Sequence, residues 1–143
     1  MFRHIAVPVA FDAEIPPDAA LEAAAKLAGP GSRVTVLHVM DEAPPFAISY
    51  VEDSYLETLR DGLRDELAGM AARFEHGTAL LLDGHPARTL VAWAIENEVD
   101  AIVMPSQARK GAAAFLLGST AGHVVRNAPC SVLVLRGAAA GRA

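Results

Sequence analysis

Five short apolar runs alternate along the chain with longer segments of helical periodicity, and this alternation restricts the folds that the chain can adopt. The runs are rich in Val, Ile and Leu, show no clean polar–apolar alternation, and cover residues 5–9, 34–40, 79–82, 101–104 and 132–135. Such runs are typical of strands buried on both faces of a sheet. Strands that alternate with helices predict a parallel sheet, because parallel neighbours need a crossover connection.

Four segments between these runs predict helices. The longest has apolar residues at steps of three and four from Leu56 to Phe74, with Ser54 and Glu57 as a capping box at its start and Gly77 as its stop. A Gly-Pro-Gly sequence at residues 29–31 ends the first helix. The other three helices are predicted to begin near Pro16, after Pro86 and near Ser119.

These elements predict an α/β fold: a Rossmann-like open sheet of five parallel strands in the order 3-2-1-4-5, with four helices on its two faces. The first strand is central if the chain reverses direction across the sheet after the third strand. Open α/β sheets bind ligands at the carboxyl ends of their strands, where the strand order reverses. We therefore expect a ligand crevice between the first and fourth strands, in one domain of residues 1–136 followed by a flexible tail at 137–143.

Composition excludes several classes of protein. The 143 residues suit one compact core. Twelve basic and seventeen acidic residues give a net charge of -5, which disfavours nucleic acid as a partner. The single cysteine, Cys130, cannot form an internal disulfide, so a cytoplasmic location is expected. No apolar run approaches the roughly 20 residues that span a bilayer, so no membrane association is expected.

A glycine-serine pair, Gly118-Ser119, opens the predicted fourth helix after a loop of small residues. Free backbone N–H groups and the helix dipole favour an anion at such a position. Ser119 could equally act only as a helix cap. The local pattern leaves both interpretations open.

Several blocks of sequence resemble the universal stress protein family. They are Ile-Ala-Val-Pro-Val at 5–9, Leu-His-Val at 37–39, Leu-Leu-Gly-Ser at 116–119 and Val-Val-Arg-Asn-Ala-Pro-Cys-Ser-Val-Leu-Val at 124–134, so the resemblance spans nearly the whole chain. Nucleotide-binding members of that family carry the motif Gly-x2-Gly-x9-Gly-Ser/Thr after the fourth strand. Here Pro105 and Ala108 stand at the two leading glycines, and Gly118-Ser119 retain the final pair.

The resemblance implies a stress-response or signalling module that binds an adenine nucleotide, ATP or AMP. Mg²⁺ could accompany the phosphates, and no tightly held metal is expected. Base and ribose would contact Pro8, Val9, Ala10, Val39 and Met104, with Asp12 nearby because Ala10 stands where ATP-binding members usually have aspartate. The phosphate side would comprise Pro105, Ser106, Arg109, Gly118, Ser119 and Thr120.

Two other functions compete with nucleotide binding. The same fold could act as a nucleotide-free protein-interaction module, because Pro105 removes an N–H donor and Ala108 penalises a positive φ. An enzyme is the weakest alternative, since the chain has no Gly-x4-Gly-Lys-Ser/Thr loop and no evident base. We expect no catalytic residue and at most slow ATP hydrolysis.

The remaining expectations concern assembly and isolated polar residues. A homodimer is expected through the edge strand from Val132 to Leu135, as the family resemblance also implies, together with an unknown protein partner. The five histidines lack metal-ligand spacing and are expected to be isolated. Asp12 and Asp41, at strand ends, remain open as ligand contacts.

Overall fold

The computed structural model of the chain describes residues 1–11, 16–41, 53–106 and 117–136. Two predicted site residues, Asp12 and Arg109, lie outside the described residues, as do Ala108 and the tail at 137–143. The elements are β1 (Phe2–Pro8), α1 (Asp18–Leu27), β2 (Ala28–Met40), α2 (Asp53–Ala71), β3 (Gly77–Asp83), α3 (Pro86–Glu96), β4 (Ala101–Pro105), α4 (Ser119–Asn127) and β5 (Ser131–Leu135).

The five strands form one parallel sheet in the order β3-β2-β1-β4-β5. Ile5 at the centre of β1 pairs with Val34 on one side and with Ala101 on the other. The predicted fold and strand order are therefore confirmed. β2 and β3 lie on one side of β1, whereas β4 and β5 lie on the other side. The strand order therefore reverses between β1 and β4, and the carboxyl ends of these two strands define the switch point.

Side chains from the central strand alternate between two apolar layers. Ile5 on one face of β1 packs in a layer with Leu21 of α1 and Leu67 of α2. Ala6 on the other face packs in a layer with Leu90 of α3 and Val124 of α4. Because both faces are covered, the strands need apolar residues at consecutive positions, which explains the uninterrupted runs in the sequence.

The second strand begins earlier than the sequence predicts. Residues 29–31 follow the end of α1 as expected, yet they belong to β2, which starts at Ala28. The pairing of β1 with β2 is irregular between Phe2 and His4. Ser32 fills this irregularity, because its hydroxyl donates to the Phe2 carbonyl at 2.5 Å and accepts from Gly29 N–H at 2.9 Å.

The longest helix differs from its prediction at both ends. It begins at Asp53, so Ser54 lies inside the first turn rather than at the cap, and it ends at Ala71 rather than near Gly77. Leu67 and Ala71 are its buried residues. Both lie in the C-terminal half of the helix, and the predicted apolar stripe is 40% exposed at Leu59.

Candidate functional site

A cavity of about 420 Å³ opens at the carboxyl edge of the sheet, at the switch point between β1 and β4. The ends of β1, β2 and β4 and the first turns of α3 and α4 surround it. The described residues that line it are Pro8, Val9, Ala10, Phe11, His38, Val39, Met40, Asp41, Leu63, Pro86, Leu90, Met104, Pro105, Thr120 and Ala121.

Seven of the predicted site residues line this cavity: Pro8, Val9, Ala10, Val39, Met104, Pro105 and Thr120. Three others, Ser106, Gly118 and Ser119, lie within two residues of a lining residue in the chain but are not in the lining. The structure therefore brings together residues from β1, β2, β4 and α4 that are far apart in the sequence.

The lining is mostly apolar. Of the described residues that line the cavity, three carry a polar side chain, namely His38, Asp41 and Thr120. Small-molecule sites typically combine an apolar wall with a few polar groups that fix the orientation of the ligand. The cavity thus suits a flat, largely apolar group that carries hydrogen-bonding atoms at its edge.

Two hydrogen bonds tie the chain after β1 to the end of β2. Val9 N–H donates to the Leu37 carbonyl at 2.7 Å. His38 Nδ1 lies 2.6 Å from the Val9 carbonyl, and the Phe11 ring packs against the imidazole in a T-shaped arrangement with centroids 4.8 Å apart. Sequence analysis did not select His38 or Phe11 as site residues, although His38 stands inside the Leu-His-Val block and Phe11 follows the predicted residue Ala10.

The N-terminus of α4 has an uncapped first turn beside the cavity. Gly118 is the N-cap and provides no side-chain hydrogen bond, while Gly122 N–H donates to the Gly118 carbonyl at 2.8 Å. The interpretation of Ser119 as the cap is therefore wrong, because Ser119 is the first helical residue. The first N–H groups of a helix have no acceptor within the helix, so this turn can donate to an anion.

Ser106 follows the last residue of β4 and is only 5% exposed. Its N–H donates to the Leu135 carbonyl at 2.8 Å, which fixes its backbone. Its Oγ has no hydrogen-bond partner among the described residues. A buried hydroxyl without a partner costs free energy, so it favours any ligand or neighbour that can complete the bond.

An ion pair connects α2 to the end of β3 close to the cavity. Arg60 donates to both carboxylate oxygens of Asp83, at 2.7 and 2.6 Å, and its Nη1 also lies 3.3 Å from the sulfur of Met40. The hydrogen bond from Arg60 lowers the pKa of Asp83. This pairing gives Asp83 a structural role at the end of β3.

No three His, Cys, Asp or Glu side chains come together as a metal site within the described part of the chain. His85 and His123 do approach each other, with ring centroids 6.5 Å apart, so these two histidines are not isolated as the sequence predicts. Two imidazoles are fewer ligands than a structural zinc site requires.

None of the described helices combines the length and apolarity needed to cross a bilayer.

Comparison with known proteins identifies the family. A model of the universal stress protein family matches residues 1–136. The universal stress protein from the QAH/OAS sulfhydrylase 3′ region of Thermus aquaticus is 31% identical over 120 residues, covering 82% of this chain and 88% of the relative. The chain belongs to the universal stress protein family.

Solved universal stress proteins share the fold. UspA from Lactobacillus plantarum is 26% identical, with a TM-score of 0.69 over 94% of this chain and 97% of its own. A universal stress protein from Archaeoglobus fulgidus, solved in complex with dAMP, is 21% identical, with a TM-score of 0.63 over 92% and 96% of the two chains. The family expected from the sequence blocks is thus confirmed.

Proposed function

We propose that this universal stress protein is a stress-response or signalling module that binds an adenine nucleotide, ATP or AMP, at the β1/β4 switch point. The cavity carries this proposal, because it combines an apolar wall with an uncapped helix N-terminus at one end. Its volume of about 420 Å³ lies in the range typical of small-molecule sites.

The base and ribose occupy the apolar end of the cavity in this proposal. Val39, Met104 and the segment from Pro8 to Ala10 form the walls there. Val39 and Met104 are both at least nine-tenths buried, so they hold their positions without a ligand. Asp12 follows the same segment and is proposed as a ribose contact.

The phosphates extend toward α4. Gly118 has no side chain to fill the space over the first turn, and the backbone N–H groups of Ser119 and Thr120 lie at the positive end of the helix dipole. Ser106 adds a hydroxyl, and Arg109, which follows β4 in the sequence, is proposed to add a positive charge. Mg²⁺ is proposed only as a companion of the phosphates.

Relatives with bound nucleotides support this choice of ligand. Solved proteins of the same fold hold cAMP, dAMP and AMP, at 20%, 21% and 15% identity to this chain. At such identities the likeness concerns the fold, so the relatives support the ligand class and leave the contacts to be tested. Pro105 at the first motif position is the principal departure, since it offers no N–H to a phosphate.

We also propose that residues 1–136 act as one cytoplasmic domain without catalytic residues, hydrolysing ATP slowly at most. The homodimer is proposed to form along β5, an edge strand of the sheet on which Leu133 is 40% exposed. An edge strand offers N–H and C=O groups to a second copy.

The direct test is to denature the purified protein and to analyse the released small molecules by anion-exchange chromatography with ultraviolet detection. An adenine nucleotide in near-stoichiometric yield supports the proposal. For protein freed of ligand, calorimetric titration with ATP and AMP, with and without Mg²⁺, gives the affinities. No released nucleotide and no heat at millimolar concentration would favour the interaction module instead.

A further inference from the structure

An open depression of about 550 Å³ lies between α3 and the end of the edge strand β3. It shares no lining residue with the cavity at the switch point. Leu82 and Trp93 are partly buried apolar residues of its lining, and Arg88 and Glu96 are charged residues of the same lining. An apolar depression with a charged rim is typical of a surface that binds another protein.

One row of exposed residues follows α3 beside this depression. Arg88, Ala92 and Glu96 are spaced by four residues, so they share one side of the helix, and all three are exposed. Eight residues separate the two charges, which is about 12 Å along the helix axis, and Ala92 lies midway. The small side chain of Ala92 allows another helix to approach closely at the centre of the row.

The two charges of this row oppose the dipole of their own helix. Arg88 lies in the first turn of α3, which has no acidic residue, and Glu96 lies in the last turn, which has no basic residue. A cation at the N-terminus and an anion at the C-terminus both destabilise a helix. Where the terminal turns of the other described helices are charged, the charges favour the dipole: Asp18, Lys26, Asp53 and Arg126.

No contact within the described residues compensates for this arrangement. Neither Arg88 nor Glu96 forms an ion pair with any residue that the structure describes. The contact between the Arg88 backbone N–H and His85 Nδ1, at 3.3 Å, does not involve the guanidinium. A charge pattern that works against the stability of its own helix is typical of a functional position.

We propose that α3 is a self-docking surface, on which a second copy of the chain packs its own α3 in the antiparallel orientation. A two-fold axis at Ala92 places Arg88 of each copy opposite Glu96 of the other, so all four charges gain a partner. Ile95, which is 58% exposed on the adjacent turn, is covered by the same contact. This surface lies near β3, whereas β5 is the opposite edge of the sheet, so the proposal is independent of the β5 dimer and of the nucleotide site.

A cysteine at the centre of the row reports this contact directly. Helices that cross at a small residue bring their axes to about 8 Å, which leaves the two facing Cα atoms within reach of a disulfide. Ala92→Cys in a Cys130→Ser background should therefore form a disulfide-linked dimer under mild oxidation at tens of micromolar, as seen by non-reducing electrophoresis. Ala68→Cys in the same background, at an exposed position of α2, is the control for random collision and should cross-link about tenfold more slowly.

Charge reversal in the Ala92→Cys protein tests whether the two charges align the copies. Arg88→Glu or Glu96→Arg sets like charges against each other at both ends of the contact, so each reversal should slow cross-linking about tenfold. Each reversal also agrees with the helix dipole, so neither should lower the melting temperature, and unfolding cannot explain the loss. A mixture of the two reversed proteins pairs opposite charges again in the mixed dimer, and the double variant does so within one protein. Both should recover the cross-linking rate.

The outcomes separate a second copy from any other occupant of this surface. Cross-linking of Ala92→Cys no faster than the Ala68→Cys control, or a rate that neither reversal changes, would overturn the proposal. A mixture of the two reversed proteins that cross-links as slowly as each alone would overturn it as well. An ionic strength of about 1 M, at which the Debye length is about 3 Å, should slow cross-linking of Ala92→Cys but not of the control. Calorimetric titration with AMP should be the same in both reversals, so the nucleotide site stands or fails separately.

Discussion

His4 Nε2 lies 2.8 Å from Thr35 Oγ1, in a buried position between the central strands β1 and β2. The other ring nitrogen, Nδ1, donates to the Asn97 carbonyl at 3.0 Å, so the neutral ring accepts the threonine hydroxyl at Nε2. Trp93 packs against the ring with centroids 5.6 Å apart. With 3% exposure, His4 is part of the packing rather than a surface group.

This burial predicts a loss of stability in mild acid. Burial lowers the pKa of His4 below 6.5, and nearby Arg33 lowers it further, against the opposing effects of the Asn97 hydrogen bond and the Asp100 charge. Below pH 6.5 the unfolded chain therefore binds a proton that the folded chain does not. The free energy of unfolding should fall as the pH drops through this value toward the lower pKa of the folded state, as measured by urea denaturation.

The variant His4→Gln isolates this effect. Glutamine keeps a polar group that can reach Thr35 but does not titrate, so the variant should be less stable at neutral pH and should lose less stability on acidification. His76→Gln, at a half-exposed side chain, is the control and should retain the wild-type pH dependence. An unchanged pH slope in His4→Gln would assign the effect to other groups.

The bidentate pair between Arg60 and Asp83 should couple α2 to the end of β3. A double-mutant cycle with Arg60→Gln and Asp83→Asn should give about 0.5 to 1 kcal/mol, because half of the Asp83 side chain is exposed and solvent screens the pair. The Arg64–Asp61 pair, at 3.4 Å with both side chains exposed, is the control and should give less. A larger coupling for the control pair would contradict this ranking.

Sequence patterns predicted the strands and their order, because these features depend on which residues are buried. Runs such as 101–104 are apolar at every position because helices cover both faces of the sheet. The first strand is central because the chain adds strands on one side of β1 up to β3 and on the other side from β4 onward. The extension of β2 to Ala28 was missed because it depends on a long-range bond between Ser32 and Phe2. A local pattern carries no information about that partner.

The site was predictable in outline and not in detail. The family resemblance pointed to Val39, Met104 and Thr120, which come together at the cavity. The orientation of His38 depends on a carbonyl 29 residues away in the chain, so no spacing rule could select it. Asp12 and Arg109 lie outside the described residues and stay predictions.

Substitution at the start of α4 tests where the phosphates bind. Gly118→Val should weaken AMP or ATP binding more than Ser119→Ala, because a side chain at 118 would occupy the space over the first turn. Loss of one charged hydrogen bond to phosphate costs on the order of 1.5 to 3 kcal/mol, or about ten to a hundredfold in affinity. Gly118 has an extended backbone, with φ of -61° and ψ of 162°, so valine introduces no backbone strain. Equal calorimetric affinities in wild type and both variants would place the nucleotide elsewhere.

The orientation of β5 determines which proline can test the proposed dimer. The Leu135 carbonyl accepts from Ser106 N–H at 2.8 Å, so it points toward the β4 side of the strand. Polar backbone groups in a strand alternate sides, which places those of Leu133 toward β4 and those of Val134 toward the free edge.

Val134→Pro should therefore remove an N–H from the free edge and weaken the dimer, while leaving the β4–β5 hydrogen bonds intact. Leu133→Pro is the contrasting variant, because it removes an N–H that faces β4 and should lower the melting temperature of the whole domain. Light scattering at tens of micromolar should report twice the 15.0 kDa chain mass for wild type and a shift toward one chain mass for Val134→Pro. A folded Val134→Pro protein as dimeric as wild type would show that the two copies meet through another surface, since a partner strand paired along β5 would lose a hydrogen bond from the missing donor.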